Sequence, residues 1–162
     1  MTTALAIKCD EGIVLASDSQ GSTERNKSTV KKIYGIDNCL GLVGAGDQSQ
    51  IVDTKKEVEN FLKREYDPNN LRGVLNRCLM ELHKERNIPY LETPNQIIEN
   101  RFPFTPEILI GAKIKDGYFH IYHGGFGEVG RYKARVADMY EIFETYDTIG
   151  SGDHYASLVL KQ

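Results

Sequence analysis

The second residue of the chain is a threonine, directly after Met1. Removing an initiator methionine in front of so small a residue would leave Thr2 with a free α-amine beside its hydroxyl. An unperturbed α-amine titrates near about 8, so it can take the hydroxyl proton, and one residue then supplies both nucleophile and base. A Met-Thr start is common, and alone it does not point to catalysis. The other reactive residues assemble less well. His120 and His123 lie three apart on a strand-like segment, where alternation sends them to opposite faces and argues against a shared metal. His83 lies on a helical stripe with no ligand-type residue at i±4 other than Asn87, and His154 follows a Gly-Ser-Gly turn, close to a site or in solvent. Gly124-Gly125-Phe126-Gly127 lacks the Lys-Ser/Thr ending of a phosphate loop, and no Gly-x-Ser-x-Gly elbow occurs. Cys9, Cys39 and Cys78 are odd in number and contain no Cys-x-x-Cys pair, so neither a zinc site nor a disulfide framework is expected. Nothing calls for a cofactor or a metal.

The elements that must position such a residue can be read from periodicity. Residues 3–9 and 13–17 are apolar, strand-like runs around the turn Asp10-Glu11-Gly12, a hairpin signal. Cys9 and Cys39 fall in such runs and are expected to act as small hydrophobes, which fits a reducing compartment. A polar stretch from Gln20 to Ser28 is expected to loop out, and 30–36 and 39–43 form a second pair around Asp37-Asn38. From Asp47, a plausible N-cap, the period becomes helical through Ile51, Val52, Val58, Phe61 and Leu62. Asp67-Pro68-Asn69-Asn70 breaks that helix, and a second carries Leu71, Val74, Leu75, Cys78, Leu79 and Leu82 on one stripe. Four of the five prolines fall within 88–106, read as a connection or insertion. Strands follow at 107–114 and 118–123, then a Gly-rich bend, two further strand-like segments, and a helix beginning near Tyr155. Strands grouped before and after a helix pair indicate an α+β fold with antiparallel sheets, in one domain spanning 1–162.

The net charge of −3 leaves no basic excess for phosphate-backbone binding, which disfavours a nucleic-acid partner. Neither a signal peptide nor a run of about 18 apolar residues is found, so the expectation is a soluble, cytoplasmic protein without a membrane partner.

Residues 2–18, TTALAIKCDEGIVLASD, resemble the opening of proteasome β-type subunits and equally that of the peptidase subunit of the bacterial two-component ATP-dependent protease (HslV type). The run TVKKI, residues 29–33, the junction LVGAGD, residues 42–47, and IGSGDHYA, residues 149–156, match further motifs in the same order. The resemblance covers essentially the whole chain. It implies a four-layer α-β-β-α N-terminal-nucleophile hydrolase sandwich with its sites facing the interior of a stacked-ring particle. It implies Thr2 as the nucleophile, Asp18 as the acidic residue and Lys32 as its partner. A cation near the amine helps keep that amine neutral, while the carboxylate holds the lysine charged. Standing alone, Asp18 and Lys32 would be an ordinary surface ion pair.

The oxyanion donor is expected at Gly44, with Gly46 as the competing assignment, because a Gly-rich turn admits a substrate carbonyl closely. Ser151 would sit near the Thr2 amine, or else simply start a helix. Ser22 would align the substrate backbone, and Val30 and Val43 would shape an apolar pocket. The sequence departs from the family where Gln20, Gly21 and Ser22 follow the acidic residue in place of Arg and Thr. Relatives also continue past the Gly-Ser-Gly helix, so either a piece of a longer chain or a reduced relative with an incomplete sandwich is expected.

The leading reading is therefore a threonine-type endopeptidase acting on unfolded polypeptides, assembled in homo-oligomeric rings and served by an ATPase unfoldase. The second is a catalytically silent ring subunit, and the third a small-molecule amidohydrolase.

Overall fold

The computed structural model describes residues 2–22, 27–86, 105–129 and 134–161. Most of the proline-rich 88–106 segment lies outside the described residues. The chain runs β1 (Ala4–Cys9), β2 (Gly12–Ser17), β3 (Gln20–Ser22), β4 (Lys27–Thr29), β5 (Ile33–Gly35) and β6 (Leu40–Ala45), then α1 (Gln48–Glu65) and α2 (Leu71–Arg86). It returns through β7 (Glu107–Lys113), β8 (Phe119–Val129), β9 (Ala134–Ile142) and β10 (Tyr146–Ile149) to α3 (Asp153–Leu160).

Two antiparallel sheets result. One has the order β10-β1-β2, the other β5-β6-β7-β8-β9, and β3-β4 form a separate hairpin. Helices α1 and α2 connect neighbouring antiparallel strands, β6 and β7, so both lie on one face of the larger sheet. The Asp47 carboxylate accepts from the N–H groups of Ser49 and Gln50 and caps α1. Asn70 Oδ1 accepts from Gly73 N–H at 3.2 Å in the first turn of α2. The stripes Ile51, Val58, Phe61 and Leu62 and Leu71, Val74, Leu75, Cys78, Leu79 and Leu82 pack on Leu42, Ile108, Ile110, Tyr122 and Met139. On the opposite face, Val43, Leu109 and Ile121 meet Ala4, Ala6 and Ile149 of the small sheet. Strands β6, β7 and β8 thus alternate between two apolar layers, which is why residues 107–114 read as a continuous apolar run. Helix α3 packs beside β10 without burying a residue, and Tyr155, Leu158 and Val159 are exposed. Among the described residues no helix is long and apolar enough to cross a membrane.

Three expectations are corrected. Part of the Gln20–Ser28 loop is the hairpin β3-β4, paired Gln20↔Thr29 to Ser22↔Lys27; backbone pairing needs no apolar side chain, so its polar sequence concealed it. The Gly-rich bend is instead the middle of β8, with Gly124 opposite both Ile108 and Met139. A Cβ on Gly124 would stand 2.7 Å from Met139 Cε and 2.8 Å from Leu79 Cδ1, so this glycine lets α2 settle on the sheet. Cys9 and Cys39 are exposed, one at a strand end and one in a turn, and only Cys78 is buried among the cysteines. Burial pushes the Cys78 thiol up to about 12, which makes it an inert packing residue.

Leu79 is fully buried between α2 and the larger sheet. Leu79→Ala is expected to destabilise the protein by about 2–5 kcal/mol through lost burial and a residual cavity, read as a shift of the urea midpoint without a change in slope.

Candidate active site

Thr2 enters the site between two structures that hold it from opposite sides. On one side β1 pairs with β2, bringing Ser17 opposite Ala4. Asp18 follows directly, and its N–H donates to Thr3 O at 3.1 Å. Its carboxylate accepts from Thr3 N–H at 2.8 Å through Oδ1 and from Gln20 N–H at 3.1 Å through Oδ2. On the other side, β10 pairs with β1 and delivers the turn Gly150-Ser151-Gly152. Ser151 Oγ accepts from Thr2 N at 3.0 Å, and Gly152 N–H donates to Thr2 O at 3.0 Å. That nitrogen is an amide with Met1 attached and becomes the α-amine once Met1 is removed; it can donate to Ser151 in either state.

Both glycines of the turn are steric requirements. A Cβ on Gly150, whose φ is 91°, would fall 2.5 Å from Thr2 O, and one on Gly152 would fall 1.9 Å from Thr3 Oγ1. Only glycine permits this approach.

Lys32 lies between β4 and β5 and is 4% exposed. Its Nζ donates to Gln20 O at 2.8 Å, to Asp18 Oδ2 at 3.0 Å and to Thr2 Oγ1 at 3.3 Å. Three acceptors match the three N–H bonds of one ammonium, so this buried cation is satisfied in full. Burial by itself raises the Asp18 carboxyl. The hydrogen bonds from Thr3, Lys32 and Gln20, together with the Lys32 charge, outweigh it and hold the group below its ordinary value. A cation 3.3 Å from the Thr2 hydroxyl stabilises negative charge developing on that oxygen. Beside Thr2 opens a pocket of about 420 Å³ lined by Ala45, Gly46, Thr105, Glu107, Gly150 and Ser151.

A threonine at the second position, a buried lysine on its hydroxyl and a Gly-Ser-Gly turn on its nitrogen form one constellation. A sequence model of the proteasome family, described as "Proteasome subunit", matches residues 1–123. The chain belongs to the proteasome subunit family.

It is 29% identical over 146 residues to the proteasome subunit beta of Nanoarchaeum equitans, covering 85% of this chain and 67% of the relative. It is 27% identical over 168 residues to proteasome subunit beta 2 of Nitrosopumilus maritimus, covering 99% and 67%. It is 29% identical over 125 residues to the proteasome subunit alpha of Methanosphaerula palustris, covering 75% and 48%. The chain therefore spans about half to two thirds of the length of these relatives. Relatives of both kinds match at similar identity, so the sequence comparisons establish a proteasome subunit and do not distinguish its type.

Of the residues named from the sequence, Thr2, Asp18, Lys32 and Ser151 converge. Gly46 joins them at the pocket, with φ 114°. Gly44 does not: its N–H donates to Lys32 O at 3.1 Å, which leaves it no role as an oxyanion donor. Its lack of a side chain serves packing instead, since a Cβ there would stand 2.6 Å from Ile51 Cγ2 on α1. Val43 is likewise corrected. It is fully buried between the sheets, opposite Leu109 and Ile33, and is not among the residues lining the pocket beside Thr2. Val30 is half-buried, its N–H donating to Ser19 O at 2.8 Å, and is not among the pocket residues. Ser22 ends β3, and its side chain lies outside the described residues. His154 is exposed.

Three contributors were not anticipated. Gln20 acts through its carbonyl and Thr3 through its N–H, groups every residue carries, so no side-chain pattern could reveal them. Glu107 accepts from Gly150 N–H at 2.9 Å, and only the pairing of β6 with β7 brings it to the pocket.

Because the folded Asp18 value lies below the unfolded one, the carboxylate contributes stability fully above its ordinary pKa of 3.8, and the contribution is lost as pH falls through the folded value. Urea midpoints of the wild type and Asp18→Asn should therefore differ most at neutral pH and converge below about pH 4. A gap that stays constant down to acid pH would contradict this linkage.

Proposed function

We propose that this proteasome-family chain is a threonine-type endopeptidase subunit, with Thr2 as nucleophile once Met1 is removed. The observation that carries the reading is the buried Lys32 ammonium, held by Asp18 and directed at Thr2 Oγ1 at 3.3 Å. A subunit with a purely structural role has no need to bury a cation against an N-terminal hydroxyl, because such burial costs several kcal/mol before its partners compensate.

In this mechanism the α-amine of Thr2 takes the hydroxyl proton, and Oγ1 attacks the peptide carbonyl to give a tetrahedral intermediate. Lys32 stabilises the charge on Oγ1 as the proton leaves. Asp18 orients Lys32, and Ser151 orients the amine. Gly46, in the left-handed region beside the pocket, takes the oxyanion role first expected of Gly44. The protonated α-amine returns its proton to the leaving nitrogen, collapse expels the amine product and leaves an ester on Thr2, and water hydrolyses that ester with the α-amine again as base.

The remaining expectations stand as parts of the same proposal. They are a four-layer α-β-β-α sandwich in one domain, homo-oligomeric rings enclosing the sites, unfolded polypeptides delivered by an ATPase unfoldase, and a cytoplasmic location. The second reading, a catalytically silent ring subunit, draws on the likeness to an alpha subunit and on Gln20 standing where the family has a cation.

Intact mass spectrometry with an epoxyketone separates the two. Loss of Met1 and one covalent adduct, absent in Thr2→Ala, is expected for the peptidase; retained Met1 without an adduct supports the silent subunit. Lys32→Ala should lower kcat/KM on a fluorogenic peptide by about 100-fold or more, with most of the loss in kcat, because the cation acts on charge that develops during reaction.

A further inference from the structure

Among the described residues, the pocket beside Thr2 contains one lining residue with an ionisable side chain, Glu107. Glu107 opens β7 opposite Ala45 and is exposed. Its Oε2 accepts from Gly150 N–H at 2.9 Å, which fixes the carboxylate on the turn carrying Ser151. No salt bridge joins it to a cation among the described residues. Gly46 and Thr105 also line the pocket, and Thr105 N–H donates to Gln50 Oε1 at 2.9 Å, tying that segment to α1. The cavity of about 420 Å³ has room for a long side chain, and its walls otherwise offer only hydroxyls, small apolar groups and backbone. The negative field extends beyond the pocket. Burial, followed by the charges of Asp147, Asp138 and Glu107, pushes up the phenol of Tyr140.

We propose that Glu107 is a specificity-determining residue that makes this pocket select a basic side chain, lysine or arginine, next to the scissile bond of the substrate. The proposal rests on the peptidase reading and deepens it. A fixed carboxylate without a cationic partner among the described residues attracts an ammonium or guanidinium and repels an acidic side chain, and both effects enlarge the discrimination. Glu107 is a pocket residue rather than a catalytic one, since its carboxylate is directed at the turn and the cavity and makes no hydrogen bond to Thr2.

The test is a panel of peptides identical except for Lys, Leu or Glu at the two positions flanking the cut, with kcat/KM measured for each. The wild type should favour the Lys peptide over the Glu peptide by about tenfold or more at low salt, with the ratio shrinking as salt rises. Glu107→Gln keeps an acceptor for Gly150 N–H and removes only the charge, so the ratio should collapse towards one; Glu107→Lys should invert it. A purely structural role for Glu107 would leave the ratio unchanged in the Gln variant, and that result overturns the proposal. Thr2-dependent cleavage without charge preference overturns this proposal and leaves the peptidase reading intact. If no Thr2-dependent cleavage occurs, the peptidase reading fails, and fluorescence anisotropy of the labelled Lys and Glu peptides on Thr2→Ala decides the pocket. Tighter binding of the Lys peptide, lost in Thr2→Ala/Glu107→Gln, supports it, and equal binding of the two peptides overturns it.

Discussion

A lysine ammonium withdrawn from water has to find a hydrogen-bond acceptor for each of its three protons, or the burial is ruinous. Lys32 finds them in a carboxylate and a carbonyl from the β2–β3 corner and a hydroxyl from the start of the chain. That requirement reaches outward. The carbonyl of Gln20 is in position because β3 begins there, and the carboxylate of Asp18 is in position because it is also bound to the N–H groups of Thr3 and Gln20. The hydroxyl of Thr2 arrives because β1 is the central strand of its sheet, held on both edges. The path of the N-terminus and the path of the β2–β3 corner are thus set together by one cation.

The second face of the site is set by exclusion rather than attraction. Gly150 and Gly152 bring the backbone of their turn against Thr2 and Thr3 at distances that no Cβ could share. With the side chains gone, Gly152 N–H and Ser151 Oγ reach the first residue directly. Gly44 does the equivalent work one layer away, letting Ile51 press α1 onto β6 while its own N–H bonds to the Lys32 carbonyl. The glycines therefore set layer spacing, and layer spacing sets where the nucleophile stands relative to its cation.

Much of the secondary structure could be read directly from side-chain periodicity. The α1 and α2 stripes, the Asp47 cap, the Asp67–Asn70 break and the first hairpin depend on neighbours within a few residues, where 3.6- and 2-residue periods report burial faithfully. The β3-β4 hairpin was missed because its ladder is made by backbone groups that leave no mark on side-chain type. The β8 glycines suggested a bend because glycine is usually a turn signal, whereas Gly124 makes room for Leu79 and Met139. Cys39 looked like part of a strand but sits in the turn where Asp37 Oδ1 accepts its N–H.

The sequence by itself offered Thr2 as a possible nucleophile and the order of the elements, since these are matters of residue type and local spacing; Asp18 and Lys32 were set beside Thr2 only by the resemblance of its motifs to a known family. Tertiary structure decided which glycine faces the pocket, Gly46 rather than Gly44, because that depends on which N–H the neighbouring strand has already bonded. It also decided that Val43 belongs to the inter-sheet core and that Glu107, more than a hundred residues from Thr2, borders the same cavity. Those outcomes follow from strand register, and register is settled only when two sheets and two helices pack against one another at once.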